Sequence, residues 1–114
     1  MSNEEVNALF ASIEQKEQDL ANLTYSLYIE KAKFERLATE HNNLLELLYK
    51  ARNKAIMENN ELNNKIFKNL YVETMHRFNE ANFNLSKCRD IEAKIRRIKP
   101  DYKSSFKEFL LKQN

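Results

Sequence analysis

The sequence of 114 residues contains no glycine, and its only proline is Pro100. Average usage would give a chain of this length about eight glycines and about six prolines. Residues 27–85 also lack serine and aspartate, which are the next most common residues in turns. Because these are the residues that turn or stop a backbone, their scarcity excludes a fold with many tight turns and predicts long, straight helices.

Cysteine and long hydrophobic runs are scarce as well. Cys88 is the only cysteine, so the chain cannot form an internal disulfide, and we expect a reducing compartment, cytoplasmic or nuclear. No apolar run approaches the ~18 residues of a membrane span, and the acidic start at residues 1–5 is unlike a secretory signal. We therefore expect an intracellular protein without a transmembrane segment.

The patterns that accompany catalysis or metal binding are also missing. The sequence has no glycine-rich phosphate loop and no nucleophile elbow. His41 and His76 are the only histidines, and neither forms a metal-site spacing with a cysteine or a carboxylate. We expect no enzymatic activity, no metal, no cofactor and no small-molecule substrate.

A seven-residue hydrophobic repeat is the strongest pattern that the sequence does contain. Nine consecutive positions at this spacing are apolar except for His41. They are Val6, Ile13, Leu20, Leu27, Phe34, His41, Leu48, Ala55 and Leu62. Such a repeat is typical of an all-α chain in which one long helix packs along another as a coiled coil. We interpret His41 as a polar residue that sets the register of this seam, rather than as a pH switch.

The repeat changes phase near the middle of the chain, and two interpretations stay open. Leu62, Ile66 and Leu70 are four residues apart, which indicates either a stutter in one continuous helix or the reversal of an antiparallel helical hairpin. The asparagine-rich segment 57–64 is the candidate turn, because asparagine tolerates the left-handed conformation. The unbroken spacing from Ala55 to Leu62 favours the continuous helix instead.

The second half of the chain has a seam of its own, which ends before Pro100. Its positions are Tyr71, Phe78 and Leu85, with Ala81, Cys88 and Ile95 as companions. Because the residue before a proline disfavours the helical conformation, we expect the helix to end at Lys99. The chain therefore divides into a coiled-coil rod, residues 1–99, with a stutter or turn near 57–66, and a short amphipathic helix within 100–114.

The C-terminal segment carries an apolar face of its own. Tyr102, Phe106, Phe109 and Leu110 lie at positions i, i+4, i+7 and i+8, which is a helical spacing. We expect a short helix at about 102–112, and we expect it to dock onto a partner protein rather than onto the rod.

The net charge of +2 hides an asymmetry between the two ends of the chain. Residues 1–30 carry six acids and one base, a net charge of −5, whereas residues 87–114 carry nine bases and four acids, a net charge of +5. A hairpin or an antiparallel dimer would bring these opposite charges together. Each exposed pair contributes only about 0–1 kcal/mol, so the charges favour an orientation rather than supply stability.

Two segments, residues 44–49 and 66–72, are apolar over too much of the helix circumference for a two-stranded seam. They predict a structural subunit that associates through a coiled coil, homo- or hetero-oligomeric, with other helical proteins in a larger complex. The predicted partner-binding residues are Leu20, Leu27, Phe34, Leu44, Leu45, Leu48, Tyr49, Phe67, Tyr71, Phe106, Phe109 and Leu110.

A basic stripe supports an alternative hypothesis. Arg89, Arg96, Lys99 and Lys103 recur at intervals of seven, three and four residues, so they share one helical face and are candidate anion-binding residues. The alternative is a basic-tailed helical protein that binds nucleic acid or ribosomes, and contact with a membrane surface is a weaker option. Four acids interrupt the basic segment 87–112, and this favours the assembly hypothesis.

Overall fold

The computed structural model describes residues 1–104, and two α-helices account for most of them. Helix α1 spans Asn3–Met57, and helix α2 spans Glu61–Ile98. The helices pack against each other in antiparallel orientation, since Glu30 contacts Asn84 and Glu40 contacts Arg77. The all-α prediction is confirmed, and of the two open interpretations the structure adopts the helical hairpin.

Side chains, rather than a left-handed backbone, make the turn between the helices. Asn60 caps α2, because its Oδ1 accepts a hydrogen bond from the Asn63 backbone N–H at 2.8 Å. The Asn63 side chain donates to the Glu58 carbonyl at 2.7 Å, and Asn64 donates to Asn59 at 2.9 Å. No residue of the described range has a positive φ. The asparagines therefore serve here as caps, and the left-handed conformation that we expected of them is not used.

The core between the helices is narrow and contains several small residues. Its buried members are Leu27, Phe34, Leu37, Ala38, Ala81, Cys88 and Ile95. Phe34 is fully buried, and so are the small residues Ala38, Ala81 and Cys88. Small side chains at these positions leave room for the Phe34 ring between two closely spaced backbones. Burial of a ring of this size stabilises the fold by about 1.5–3 kcal/mol.

Helix α2 buries the companion positions of the predicted seam most deeply, while Leu85 and Phe78 pack at the edge of the core. Thr74, Ala81, Cys88 and Ile95, seven residues apart, are buried, whereas Tyr71 is 47% exposed. The buried row thus follows the predicted companion positions. Thr74 is accommodated because its hydroxyl donates to the Leu70 carbonyl of the preceding turn at 2.6 Å. A polar residue satisfied within its own helix gives no hydrophobic signal in the sequence.

The end of α2 confirms the predicted boundary at the proline. Lys99 is the C-cap of α2, and its backbone N–H donates to the Ile95 carbonyl at 2.7 Å. Beyond Pro100 the chain turns back, and Tyr102 and Ser104 both donate to the buried carboxylate of Glu92 at 3.0 Å. Residues 102–104 are not helical, so the short helix predicted for about 102–112 does not begin at Tyr102, and the rest of that prediction lies outside the described residues.

Candidate partner-binding surfaces

Helix α1 extends well beyond the end of α2. It has 55 residues and α2 has 38, so it is 17 residues longer. At ~1.5 Å per residue a helix of this length measures about 83 Å, and the long axis of the molecule is 82 Å. Because α2 begins directly after the turn, the part of α1 that α2 does not reach is its N-terminal end. We call residues 3–19 the overhang.

The overhang carries an exposed apolar stripe in line with the core. Leu9, Phe10 and Ile13 are 54%, 62% and 52% exposed, and Val6 lies half-buried beside them. These four residues, which line a shared groove with Met1, are the overhang stripe. Ile13 stands two and three heptads before the buried Leu27 and Phe34, so the stripe continues the row that faces α2 elsewhere.

A second exposed apolar region surrounds the turn. It consists of the large apolar residues near the C-terminus of α1 and the N-terminus of α2 that are at least 44% exposed, and we call it the turn-end surface. Its members are Leu47, Ile56, Met57, Leu62, Ile66, Tyr71 and Val72. Leu62 belongs to it with 66% exposure, so its heptad spacing from Ala55 did not indicate a continuous helix.

Both flanks of the hairpin contribute to the turn-end surface. On one flank, Tyr49 and Arg52 of α1 meet Phe67 and Tyr71 of α2 around a cleft of about 180 Å³, whose floor is Leu48. The Arg52 guanidinium lies 5.3 Å from the centre of the Tyr49 ring and forms a cation–π contact with it. The aromatic and aliphatic side chains around this cleft are open to solvent, so another helix can pack against them.

On the other flank lie Leu47 of α1 and, on α2, Leu62 and Ile66. At 100° per residue, Leu47 leaves α1 on the side opposite Tyr49, and Ile66 leaves α2 on the side opposite Tyr71. Leu44, half-buried, adjoins Leu47 on the same side. The turn end is therefore apolar on both flanks, which agrees with the wide apolar segments seen in the sequence.

The predicted partner-binding residues fall into three groups. Four are buried within the hairpin: Leu27, Phe34, Leu45 and Leu48. Five are half-buried or exposed: Leu20, Leu44, Tyr49, Phe67 and Tyr71. Phe106, Phe109 and Leu110 lie outside the described residues. Their partner-binding role stays a prediction, and only the second group offers side chains of the described chain that a partner can reach.

The overhang stripe, Ile56 and Leu62 are accessible positions that sequence reasoning did not select as partner-binding residues. Ile13 and Leu27 share the same heptad position and differ only in whether α2 reaches them. The sequence does allow this difference to be predicted if the turn is first placed at residues 58–60. The two helix lengths then show that α2 is too short to reach Ile13. The heptad alone does not show this.

Polar side chains contact one another across the hairpin beside the seam. The Arg77 guanidinium binds Glu40 of α1 at 3.2 Å and Glu80 of its own helix at 3.1 Å. Next to this pair, His41 is 3% exposed, and its ring lies 5.3 Å from the Phe78 ring. His41 thus occupies the seam at which we predicted it.

The single cysteine is fully buried in the core. Burial raises the pKa of the Cys88 thiol to about 11, and the nearby carboxylates of Glu30 and Glu92 add to the rise. Since the thiolate is the reactive form, Cys88 is unreactive near neutral pH. A disulfide to another molecule would require the hairpin to open.

The candidate anion-binding residues lie at the end of α2 that faces away from the turn. Arg89, Arg96, Lys99 and Lys103 are all exposed, and none forms an ion pair with another residue of the range 1–104. The Arg96 guanidinium lies 5.7 Å from the centre of the Tyr102 ring. Arg89 and Arg96 share an exposed face of α2, but Lys99 is the C-cap and Lys103 lies in a segment that is not helical, so the predicted single helical stripe does not extend to Lys103.

Within residues 1–104 no three histidine, cysteine or acidic side chains come together in a group that could hold a metal ion. Neither of the described helices combines the length and the hydrophobicity that crossing a membrane requires. Comparisons with family models, with curated proteins and with solved structures found no match to this chain.

Proposed function

We propose that this protein is a structural subunit that binds other helical proteins in a larger assembly, without catalysis. The turn-end surface is the observation that carries the proposal. On one flank, Leu47, Leu62 and Ile66 are 50%, 66% and 44% exposed. Scattered exposed apolar residues are ordinary, but a contiguous group marks an interaction site.

Helix packing is the form of binding that this surface suits. Both flanks present side chains on a pair of straight helices, so a further helix can lie along either groove and extend the two-helix pair to a bundle. Each large apolar side chain that becomes buried contributes about 1.5–3 kcal/mol. A few such residues on each flank are enough for specific association, even after the cost of ordering the partner.

The alternative of nucleic-acid or ribosome binding has weaker support. It rests on the basic face at the other end of α2, where Asp90 and Glu92 share the segment with the bases. Phosphate contacts lose affinity steeply as salt rises, whereas an apolar helix interface does not. Retention of the native partners at high salt therefore separates the two functions.

A purification from the native cell tests the proposal. The tagged chain is cross-linked through lysines near the turn, Lys54, Lys65 and Lys68, and the cross-linked peptides are identified. We expect the cross-links to join these lysines to helical segments of one or a few proteins, with complexes that survive high salt. Complexes that dissolve with added salt and contain nucleic acid would favour the alternative.

Paired variants locate the binding surface. Ile66→Asp places a charge in the apolar flank, whereas Asn69→Asp makes the same charge change at an exposed position one turn away. We expect the first variant to lose its partners and the second to keep them, while both show the same helical circular dichroism. Equal recovery of partners by both variants would exclude this flank as the binding surface.

A further inference from the structure

Helix α2 covers one heptad row of α1 along the hairpin, but it does not reach the overhang stripe, which continues this row. Along the hairpin, α2 covers Leu27 and Phe34, and the row continues to Ile13 and Val6 without cover from the described chain. The contacts of Glu30 with Asn84 and of Glu40 with Arg77 place Ile98 beside α1 residues about 16–19 at equal rise in both helices. A covering helix must therefore begin where α2 ends and run about 25 Å along the overhang.

We propose that this covering helix is the overhang of a second copy of the chain, in antiparallel orientation about a two-fold axis. The two overhangs have equal length, so each would fill the full space that the other leaves open. Each α1 would then be covered over its whole length, first by its own α2 and then by the second copy. The proposal concerns the end opposite the turn-end surface, so it is independent of the function proposed above.

In this orientation the apolar seam residues of one overhang face apolar seam residues of the other. In an antiparallel pair the two kinds of seam position face each other, so Leu9 of one copy faces Ile13 of the other. In the same register Phe10 lies close to Phe10 of the second copy, beside the two-fold axis. Lys16, the only base of the overhang, then lies opposite Val6 and next to Glu5 of the second copy, where it offsets part of the repulsion between the acidic overhangs.

Charges at the ends of the helices favour the same arrangement. The overhang carries a net charge of −4, and the end of α2 together with its C-cap, residues 87–99, carries a net charge of +4. The acidic first turn of one α1, with Glu4 and Glu5, would meet the last turn of the other copy's α2, with Arg96 and Arg97. A helix N-terminus would also meet a helix C-terminus, which is a favourable alignment of their dipoles.

The geometry of the chain end argues against the tail as the occupant. Tyr102 and Ser104 are both bonded to Glu92, which lies about one and a half turns before the end of α2. The chain at Ser104 has therefore turned back along the hairpin, away from the overhang.

Sedimentation equilibrium of the full chain, from micromolar to millimolar concentration, tests the proposal. We expect a reversible monomer–dimer equilibrium and no larger species. The double variant Leu9→Asp/Ile13→Asp should weaken the dimer at least tenfold. Both residues are exposed in the hairpin, so its helicity should stay the same. The control Leu62→Asp, at an equally exposed position beside the turn, should leave the dimer unchanged.

Charge exchange tests the orientation. Arg96→Glu/Arg97→Glu should weaken the dimer, and Glu4→Lys/Glu5→Lys introduced into the same chain should restore it. Failure of the second pair to restore it would exclude the antiparallel arrangement.

Three further results would overturn the proposal. One is a chain that stays monomeric at all concentrations, and another is a dimer that the overhang variants do not weaken. The third is a dimer that forms only after deletion of residues 105–114, which would identify the tail as the occupant of the stripe. None of these results bears on the turn-end surface, since Ile66→Asp is tested against other proteins.

Discussion

The middle of the hairpin and the overhang belong to one helix with one heptad repeat, yet their environments are opposite. Phe34 is fully buried between α1 and α2, whereas Ile13, three heptads earlier in the same row, is 52% exposed. The same pattern of side chains therefore stabilises the fold in one region and leaves a surface open for binding in the other. The difference comes from the length of α2 and not from the residues of α1.

The largest difference between the two regions is expected for truncation to alanine. Phe34→Ala should lower the free energy of unfolding by about 3–5 kcal/mol, because it leaves a cavity in the core. Ile13→Ala should change it by less than about 0.5 kcal/mol at concentrations where the chain is monomeric. Urea unfolding followed by circular dichroism measures both values. Similar losses from the two variants would mean that the overhang is covered within the chain.

Thiol reactivity should show the next largest difference. With its pKa raised from 9.0 to about 11, Cys88 has a thiolate fraction near pH 8 that is lower by about 100-fold. Alkylation of Cys88 should be slower by at least that factor than alkylation of the exposed cysteine in Ala8→Cys/Cys88→Ser. In denaturant the two rates should converge. Equal rates in the native state would show that the hairpin opens readily at Cys88.

The same thiol should make the stability of the hairpin depend on pH. The unfolded chain loses the Cys88 proton near its ordinary pKa of 9.0, whereas the folded chain retains it until about pH 11. Stability from the protonated thiol is therefore fully present below pH 9 and is lost as the pH rises toward 11. Comparison with Cys88→Ala removes the effect of the other groups that titrate in this range. We expect the parent chain to lose more stability over this interval than the variant.

Removal of the two helix N-caps should change the stability by different but smaller amounts. Asn60→Ala removes the side chain that accepts from Asn63 at the turn, and we expect a loss of about 1 kcal/mol. Ser2→Ala removes the equivalent bond to Glu5 at the tip of the overhang. That loss should be barely detectable in the monomer, since the tip can fray without opening the core. Thermal unfolding midpoints of both variants at equal concentration measure the contrast.

The ion pair across the hairpin should have the smallest effect. Arg77 and Glu40 are both partly exposed to water, so Arg77→Ala should cost about 0–1 kcal/mol. A double-mutant cycle with Glu40→Ala measures the pair itself, and added salt should reduce the coupling energy. A coupling energy well above this range would show that the pair has a larger part in setting the register than its exposure indicates.

Several features of the molecule could be predicted from particular residues. The absence of glycine and the row from Val6 to Leu48 predicted long amphipathic helices, and Pro100 predicted the end of the second one at Lys99. The buried row of α2 could not be predicted as its main seam, because Thr74 is polar and Ala81 is small. Their burial depends on close approach of α1, which is a property of the pair of helices.

The sequence alone determined that the chain is helical, where its helices can pack, and that its two ends carry opposite charge. These properties depend on spacing and composition, which are local. Only the tertiary structure decided that the chain reverses at residues 58–60, and with it which apolar residues are covered. Asparagine caps and an uninterrupted heptad are compatible with either arrangement. The choice between them depends on how much apolar surface the two helices bury against each other. This buried area involves residues far apart in the sequence, so local patterns do not determine it.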